Sequence, residues 1–264
     1  MEARAFEART SDGTLLHGEV RGARGQTPLL LGPHFYPAAL AVDATLARWV
    51  EVLSEDFLVI SADYPRGIGR TVGVGPGAAA SVAAELTGDR AARDYECIAD
   101  AVGAHRFGFL GYSFGGAMGL AVAARSSRVA ALAVGGFPPL DAPYALLAEI
   151  SEEIAEKPPP LPAFVRAEAL HGAAHFYRQL ASGSERRAIE ALAGPRLAFM
   201  GTLDQAQGAS RSMPLATRLA ETEVELRERG WQVTWLEGHD HITALDPKVS
   251  LPRVREFFLH ALKG

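Results

Sequence analysis

A doubly wound, mostly parallel α/β sheet, led by an N-terminal antiparallel hairpin and interrupted by an inserted helical segment, is the fold class that this sequence predicts. Three observations carry the prediction. Short apolar runs recur along the chain without polar alternation, as parallel strands covered on both faces require. Helical patterns separate most of these runs, and such a succession winds into one sheet through short right-handed crossovers. One run ends in Gly111-Tyr112-Ser113-Phe114-Gly115-Gly116 and passes at once into a small-residue helix, a strand-turn-helix junction with a single serine at the turn.

Taken in order, two alternating segments flank Asp12-Gly13, a strong turn dipeptide, and predict a hairpin near residues 4–20. Apolar runs at 28–31, 57–60, 106–110, 129–134, 196–200 and 232–236 predict the parallel strands. Helical periodicity covers 39–54, 89–103, 114–126, 212–229 and 248–262. Between positions 135 and 195 about 60 residues intervene before the next strand, far more than a connecting loop needs. The whole chain, 1–264, is therefore expected to form one domain, with 138–194 inserted as a helical cap. Within that insertion, Pro158-Pro159-Pro160-Leu161-Pro162 breaks two helical patterns, around 144–154 and 163–181. Its aromatic residues Tyr144, Phe164, Phe176 and Tyr177, with Phe137 just before it, are expected mainly to pack the cap on the body, a few of them lining an apolar pocket.

Composition narrows the class. With 48% hydrophobic and 22% charged residues, the chain reads as a globular domain rather than a disordered one. A net charge of −5 gives no electrostatic footprint for nucleic acid. The single cysteine, Cys97, forms no internal disulfide and lies in a helical pattern, where a thiol usually packs as a small hydrophobe. The N-terminus carries no apolar signal region, and no apolar stretch reaches about 20 residues, so a cytoplasmic protein without membrane partners is expected.

The junction at Ser113 has the form of a nucleophile elbow, in which strained serine backbone demands neighbours without bulky side chains. A serine hydroxyl needs an adjacent base, an orienter for that base, and donors for developing negative charge. Both partners are available where open α/β sheets bind ligands, at the carboxyl ends of strands. The run 232–236 leads into Glu237-Gly238-His239-Asp240-His241, which offers two histidines. The run 196–200 leads to Asp204, and the loop after 129–134 holds Asp141 as the alternative acid. Asp240, adjacent to His241, is expected to point away from it. His239-Asp240-His241 lacks a further clustered ligand for a metal, so no metal or other cofactor is expected. The glycine-rich run 73–77 lacks the Gly-Lys-Ser/Thr of a phosphate cradle and is expected to be a flexible loop.

With its elbow, acid and histidine in the order Ser113, Asp204, His241, the chain resembles the α/β-hydrolase superfamily, and the resemblance runs from Leu29 to Leu262. Asp63-Tyr64-Pro65-Arg66-Gly67-Ile68-Gly69-Arg70-Thr71 is similar to the family's loop after the second parallel strand, with Asp63 and Arg66 expected in structural roles. The family's Gly-x-x-His form implies His241 as the base. The resemblance implies the backbone N–H of Phe114 as one oxyanion donor and a second from the loop after 28–31. Here the chain departs from the usual His-Gly-x, because Gly32-Pro33-His34-Phe35-Tyr36 puts a proline where an amide would serve. Phe35 is the expected second donor, with His34 or Tyr36 as alternatives and the Tyr36 hydroxyl also within reach. Tyr36, Tyr112 and Phe137 are expected to meet substrate.

The activity implied is that of a metal-independent serine hydrolase acting on a carboxylic ester or related acyl bond of a small, largely apolar molecule. Acyl transfer and cleavage of lactones or carbon–carbon bonds use the same constellation, as does perhydrolysis. A serine at the elbow argues against the aspartate-dependent epoxide and haloalkane hydrolases of this fold. The reading of another class is a non-catalytic ligand-binding protein built on the hydrolase fold.

Overall fold

A computed structural model of the protein describes residues 2–71, 85–182, 185–207 and 212–263, and the glycine-rich run 73–77 lies outside them. Strands β1 (Arg4–Arg9) and β2 (Leu15–Arg21) form the expected hairpin. Then come β3 (Thr27–Leu31), β4 (Phe57–Ala62), β5 (Phe107–Tyr112), β6 (Val129–Gly135) and β7 (Arg196–Gly201). A two-residue pair, β8 (Ala206–Gln207) and β9 (Ser212–Met213), precedes β10 (Trp231–Leu236). The main sheet has the order β1-β2-β4-β3-β5-β6-β7-β10, antiparallel as far as β4 and parallel beyond it. Because β3 lies between β4 and β5, the winding reverses there, and the crevice outside the carboxyl ends of β3 and β5 is the switch point where such sheets bind ligands.

Helices α1 (Pro37–Leu40) and α2 (Ala44–Leu53) replace the single helix predicted over 39–54. The break comes from Asp43, whose carboxylate accepts from the N–H groups of Thr45 (2.8 Å) and Leu46 (3.1 Å) and so starts a new helix. Helix α3 (Gly88–Ala101) begins behind Thr87, which caps the N–H of Arg90. Helix α4 (Phe114–Ala123) follows β5 without a loop. Between β6 and β7 stand α5 (Tyr144–Glu156), α6 (Ala167–Ala181) and a further short helix, α7 (Glu185–Glu190), and the proline-rich stretch separates the first two as expected. Helix α8 (Leu215–Glu228) starts after Pro214, later than its periodicity implied, because Met213 is already paired as strand. Helix α9 (Leu251–Lys263) closes the chain. No helix among the described residues is long and apolar enough to cross a membrane.

The sheet separates two apolar layers, and alternation along β5 decides which residue joins which. Phe107 and Phe109 pack with Tyr95 of α3 and Met118 of α4. Leu110 and Tyr112 face the other way, into the layer with Trp49 of α2 and Phe258 of α9. The loop after β4 is held by Asp63, which is 1% exposed and accepts from the N–H of Arg70 at 3.0 Å. Arg66 is held by Asp12 (2.7 Å) and lies 3.7 Å from Asp94, so both residues have the structural roles expected of them.

Asp94 is the costly member of that network. Its carboxylate is nearly shut off from water, and although Arg90 lies 3.0 Å away, burial outweighs the cation and pushes its pKa up to about 6. A carboxyl whose folded value lies above its unfolded one contributes stability that is full below the unfolded value and lost as pH rises through the folded one. Relative to Asp94→Asn, which cannot ionise, the wild type is therefore expected to lose on the order of 3 kcal/mol between pH 4 and pH 7. Urea-unfolding midpoints of both proteins across that range measure it, and a wild-type advantage that grows with pH contradicts the account.

Candidate active site

The turn at Ser113 is built by close approach. Ser113 itself has φ 52° and ψ −119°, which lifts its side chain out of the strand line, and its N–H donates to the carbonyl of Gly135 at 2.8 Å. Its own carbonyl accepts from Gly116 (2.8 Å) and Ala117 (3.1 Å), so the helix begins on the serine. A Cβ at position 111 would lie 2.0 Å from the carbonyl oxygen of Gly115, and one at 115 would lie 2.6 Å from that of Pro33. Backbone cannot yield as a flexible side chain does. Gly111→Ala is accordingly expected to cost about 3 kcal/mol of stability, and an unchanged urea midpoint would count against this packing.

Two further loops converge on the serine. After β10, the N–H of Gly238 donates to the Thr202 hydroxyl (2.9 Å), and the carbonyl of His239 accepts from Leu203 (2.9 Å), so the loops after β7 and β10 are bound to each other. That registry brings His241 Nδ1 to 2.8 and 3.0 Å from the two carboxylate oxygens of Asp204, which is fully buried. On its other side, His241 Nε2 lies 2.9 Å from Ser113 Oγ. Asp240 turns away, its carboxylate accepting from the N–H groups of Ile242 and Thr243. Asp141, the alternative acid, has φ 51° and forms an ion pair with Arg186. Of the two acids, Asp204 is the one brought to the imidazole.

Tyr112 takes a different place from the one expected of a residue meeting substrate. It is 2% exposed, and its hydroxyl donates to the carbonyl of His241 at 2.5 Å while the two rings lie 5.3 Å apart. Burial pushes the phenol well above its ordinary range, so it stays a donor and anchors the histidine loop from behind. Phe137 is also buried, stacked on Tyr177 at 6.4 Å. Phe114 meets Phe176 and Tyr177 edge-on, each at 5.6 Å, so α6 lies directly against the residue after the serine. As the first residue of α4, Phe114 has an N–H without an acceptor inside the helix.

Across the crevice the loop after β3 corrects another expectation. The N–H of Phe35 donates to the carbonyl of Gly32 (3.3 Å), and its ring is 1% exposed, packed edge-on to Trp49. Gly32-Pro33-His34-Phe35 is thus a turn with proline at the second corner and a positive φ, 86°, at the third, the pattern of a type II turn. The amide proposed from the sequence is therefore engaged in its own loop. Tyr36 has its ring facing Phe164 at 6.4 Å, and burial pushes its phenol pKa up to about 12. The His34 side chain, which sequence reasoning did not single out, has its Nε2 shut off from solvent and without a partner. Burial and, second, the neighbouring His241 hold that imidazole down to about 4. Among the described residues no group of three or more His, Cys, Asp or Glu side chains is arranged to hold a metal ion.

No protein-family model matches the chain, and no curated protein matches it. Solved structures do. A carboxylesterase from the ammonia-oxidizing thaumarchaeon Nitrososphaera gargenis is 18% identical, with a TM-score of 0.70 over 98% of this chain and 99% of that one. Epoxide hydrolase A from Mycobacterium thermoresistibile, at 18% identity, has a TM-score of 0.64 over 100% and 99%. An esterase from a Rhodococcus species is 21% identical, with a TM-score of 0.60 over 99% and 100%.

Proposed function

The chain having the α/β-hydrolase fold, we propose that it is a serine hydrolase that cleaves a carboxylic ester or related acyl bond of a small, largely apolar molecule. The observation that supports this reading is the unbroken hydrogen-bonded line from Asp204 through His241 to Ser113. Its carboxylate end is dry and its serine end stands at the crevice of the switch point.

In the proposed reaction, Asp204 holds the imidazole with Nδ1–H toward itself, leaving Nε2 as a lone-pair acceptor for the Ser113 proton. As that proton moves, Oγ attacks the carbonyl carbon, and the positive charge on His241 is offset by the buried carboxylate. The carbonyl oxygen becomes an oxyanion facing the N–H of Phe114. His241 then protonates the leaving group, and the acyl-enzyme is cleared when the same imidazole takes a proton from water. A serine at the elbow, where an epoxide hydrolase would carry an aspartate, makes an acyl-enzyme the natural intermediate.

The segment 138–194 is proposed as the cap of a single domain, and the packing of Phe114 against Phe176 and Tyr177 supports its standing over the nucleophile. The cytoplasm is the proposed location, which suits the single free cysteine. Turnover of p-nitrophenyl esters of increasing acyl length tests the activity. Hydrolysis of at least the short esters is expected, and no turnover of any of them contradicts the reading.

A further inference from the structure

Resting on that reading, we infer that the neutral imidazole of His34 supplies the second hydrogen bond to the oxyanion, through Nε2–H. The two backbone positions nearest the turn's corner are lost to the oxyanion as donors. Pro33 has no N–H, and the amide of Phe35 donates to the carbonyl of Gly32. Among the side-chain nitrogens and oxygens of the loop, His34 Nε2 is dry and unmatched.

An orphaned buried nitrogen is destabilising, and fold stability alone does not account for it. The same residue also holds a positive φ in the turn corner that glycine usually fills. Two unfavourable features on one residue mark a site where function opposes stability. The position is right as well. Gly32 donates its N–H to Leu110 at 2.8 Å, and the carbonyl of Pro33 abuts Gly115, so residue 34 stands across the crevice from Ser113. Its imidazole has His241 as a neighbour close enough to lower its pKa. Kept neutral by burial above about pH 4, the His34 ring retains one N–H, and a neutral imidazole is a competent donor to developing negative charge.

The test is kcat and KM for p-nitrophenyl butyrate, with affinity for an alkyl trifluoromethyl ketone, whose adduct places an oxyanion in the hole. His34→Phe, a ring without nitrogen, is expected to lower kcat by about 10²–10³-fold with KM little changed, and to weaken the ketone in proportion to kcat/KM. Its thermal stability is expected to hold or rise, because an unmatched polar atom has gone. His34→Gln, which keeps an N–H at similar reach, should restore most of the rate; should His34→Phe fold poorly, His34→Met answers in its place. Full kcat in His34→Phe, a Gln variant no faster than the Phe variant, or a greater loss in Tyr36→Phe overturns the inference. A wild type that labels at Ser113 with a fluorophosphonate while His34→Phe keeps full kcat removes this inference alone; a wild type that neither labels nor turns over ester removes the hydrolase reading as well.

Discussion

Asp204→Asn is expected to lower kcat by about 10⁴-fold, while Asp141→Asn stays within about threefold of wild type. The reason lies in what each carboxylate holds. Asp204 is fully buried and lies 2.8 Å from His241 Nδ1, and in the proposed mechanism it selects the tautomer whose Nε2 is free to take the serine proton. An asparagine of the same shape can donate its amide to Nδ1, which moves the ring proton to Nε2 and leaves no base facing Ser113. Asp141 has its charge matched by Arg186 at the surface, and removing it disturbs only a partly exposed pair of small energetic weight. Steady-state kinetics of the two variants on one ester measure the contrast. A large loss in Asp141→Asn with Asp204→Asn near wild type would reassign the acid.

The second large effect is at the nucleophile. Ser113→Ala is expected to lose kcat on the order of 10⁶-fold, and the double variant with His241→Ala should be no worse, because the pair acts as one device. Among the described residues, removing Oγ breaks one side-chain hydrogen bond, to His241 Nε2, so the thermal unfolding of Ser113→Ala should remain close to wild type. Strong residual turnover in Ser113→Ala would mean that another group makes the covalent bond.

Much of this arrangement was legible because it follows from short-range rules. Continuous apolar runs gave away the parallel strands, since covering both faces leaves no room for polar alternation. Ser113 was legible because the approach of Gly115 to Gly111 excludes side chains, which writes the turn into composition. Asp204 was the expected acid on chain order alone, with Asp141 as the alternative. Asp141 and Asp204 both follow parallel strands, and what separates them is the bonding of the β7 and β10 loops to each other, a contact between segments distant in sequence.

Tyr112 stands behind the site rather than in it because of strand alternation. It lies in strand with Leu110, so alternation sends it to the face opposite Phe109 and behind His241. The loop after β3 was misjudged for a related reason: Pro33 followed by a residue at positive φ closes a type II turn, and that turn engages the amide of Phe35. Histidine seldom occupies such a corner, so residue type alone did not announce it. The break at Asp43 likewise turned on one capping side chain inside an otherwise helical pattern.

The central claim is that Ser113 is a nucleophile activated by His241. Incubating the folded protein with a fluorophosphonate and mapping the adduct by peptide mass spectrometry tests it most directly. The account predicts one adduct, on Ser113, that disappears in Ser113→Ala and forms far more slowly in His241→Ala. An unmodified wild type, or an adduct that persists in Ser113→Ala, contradicts it.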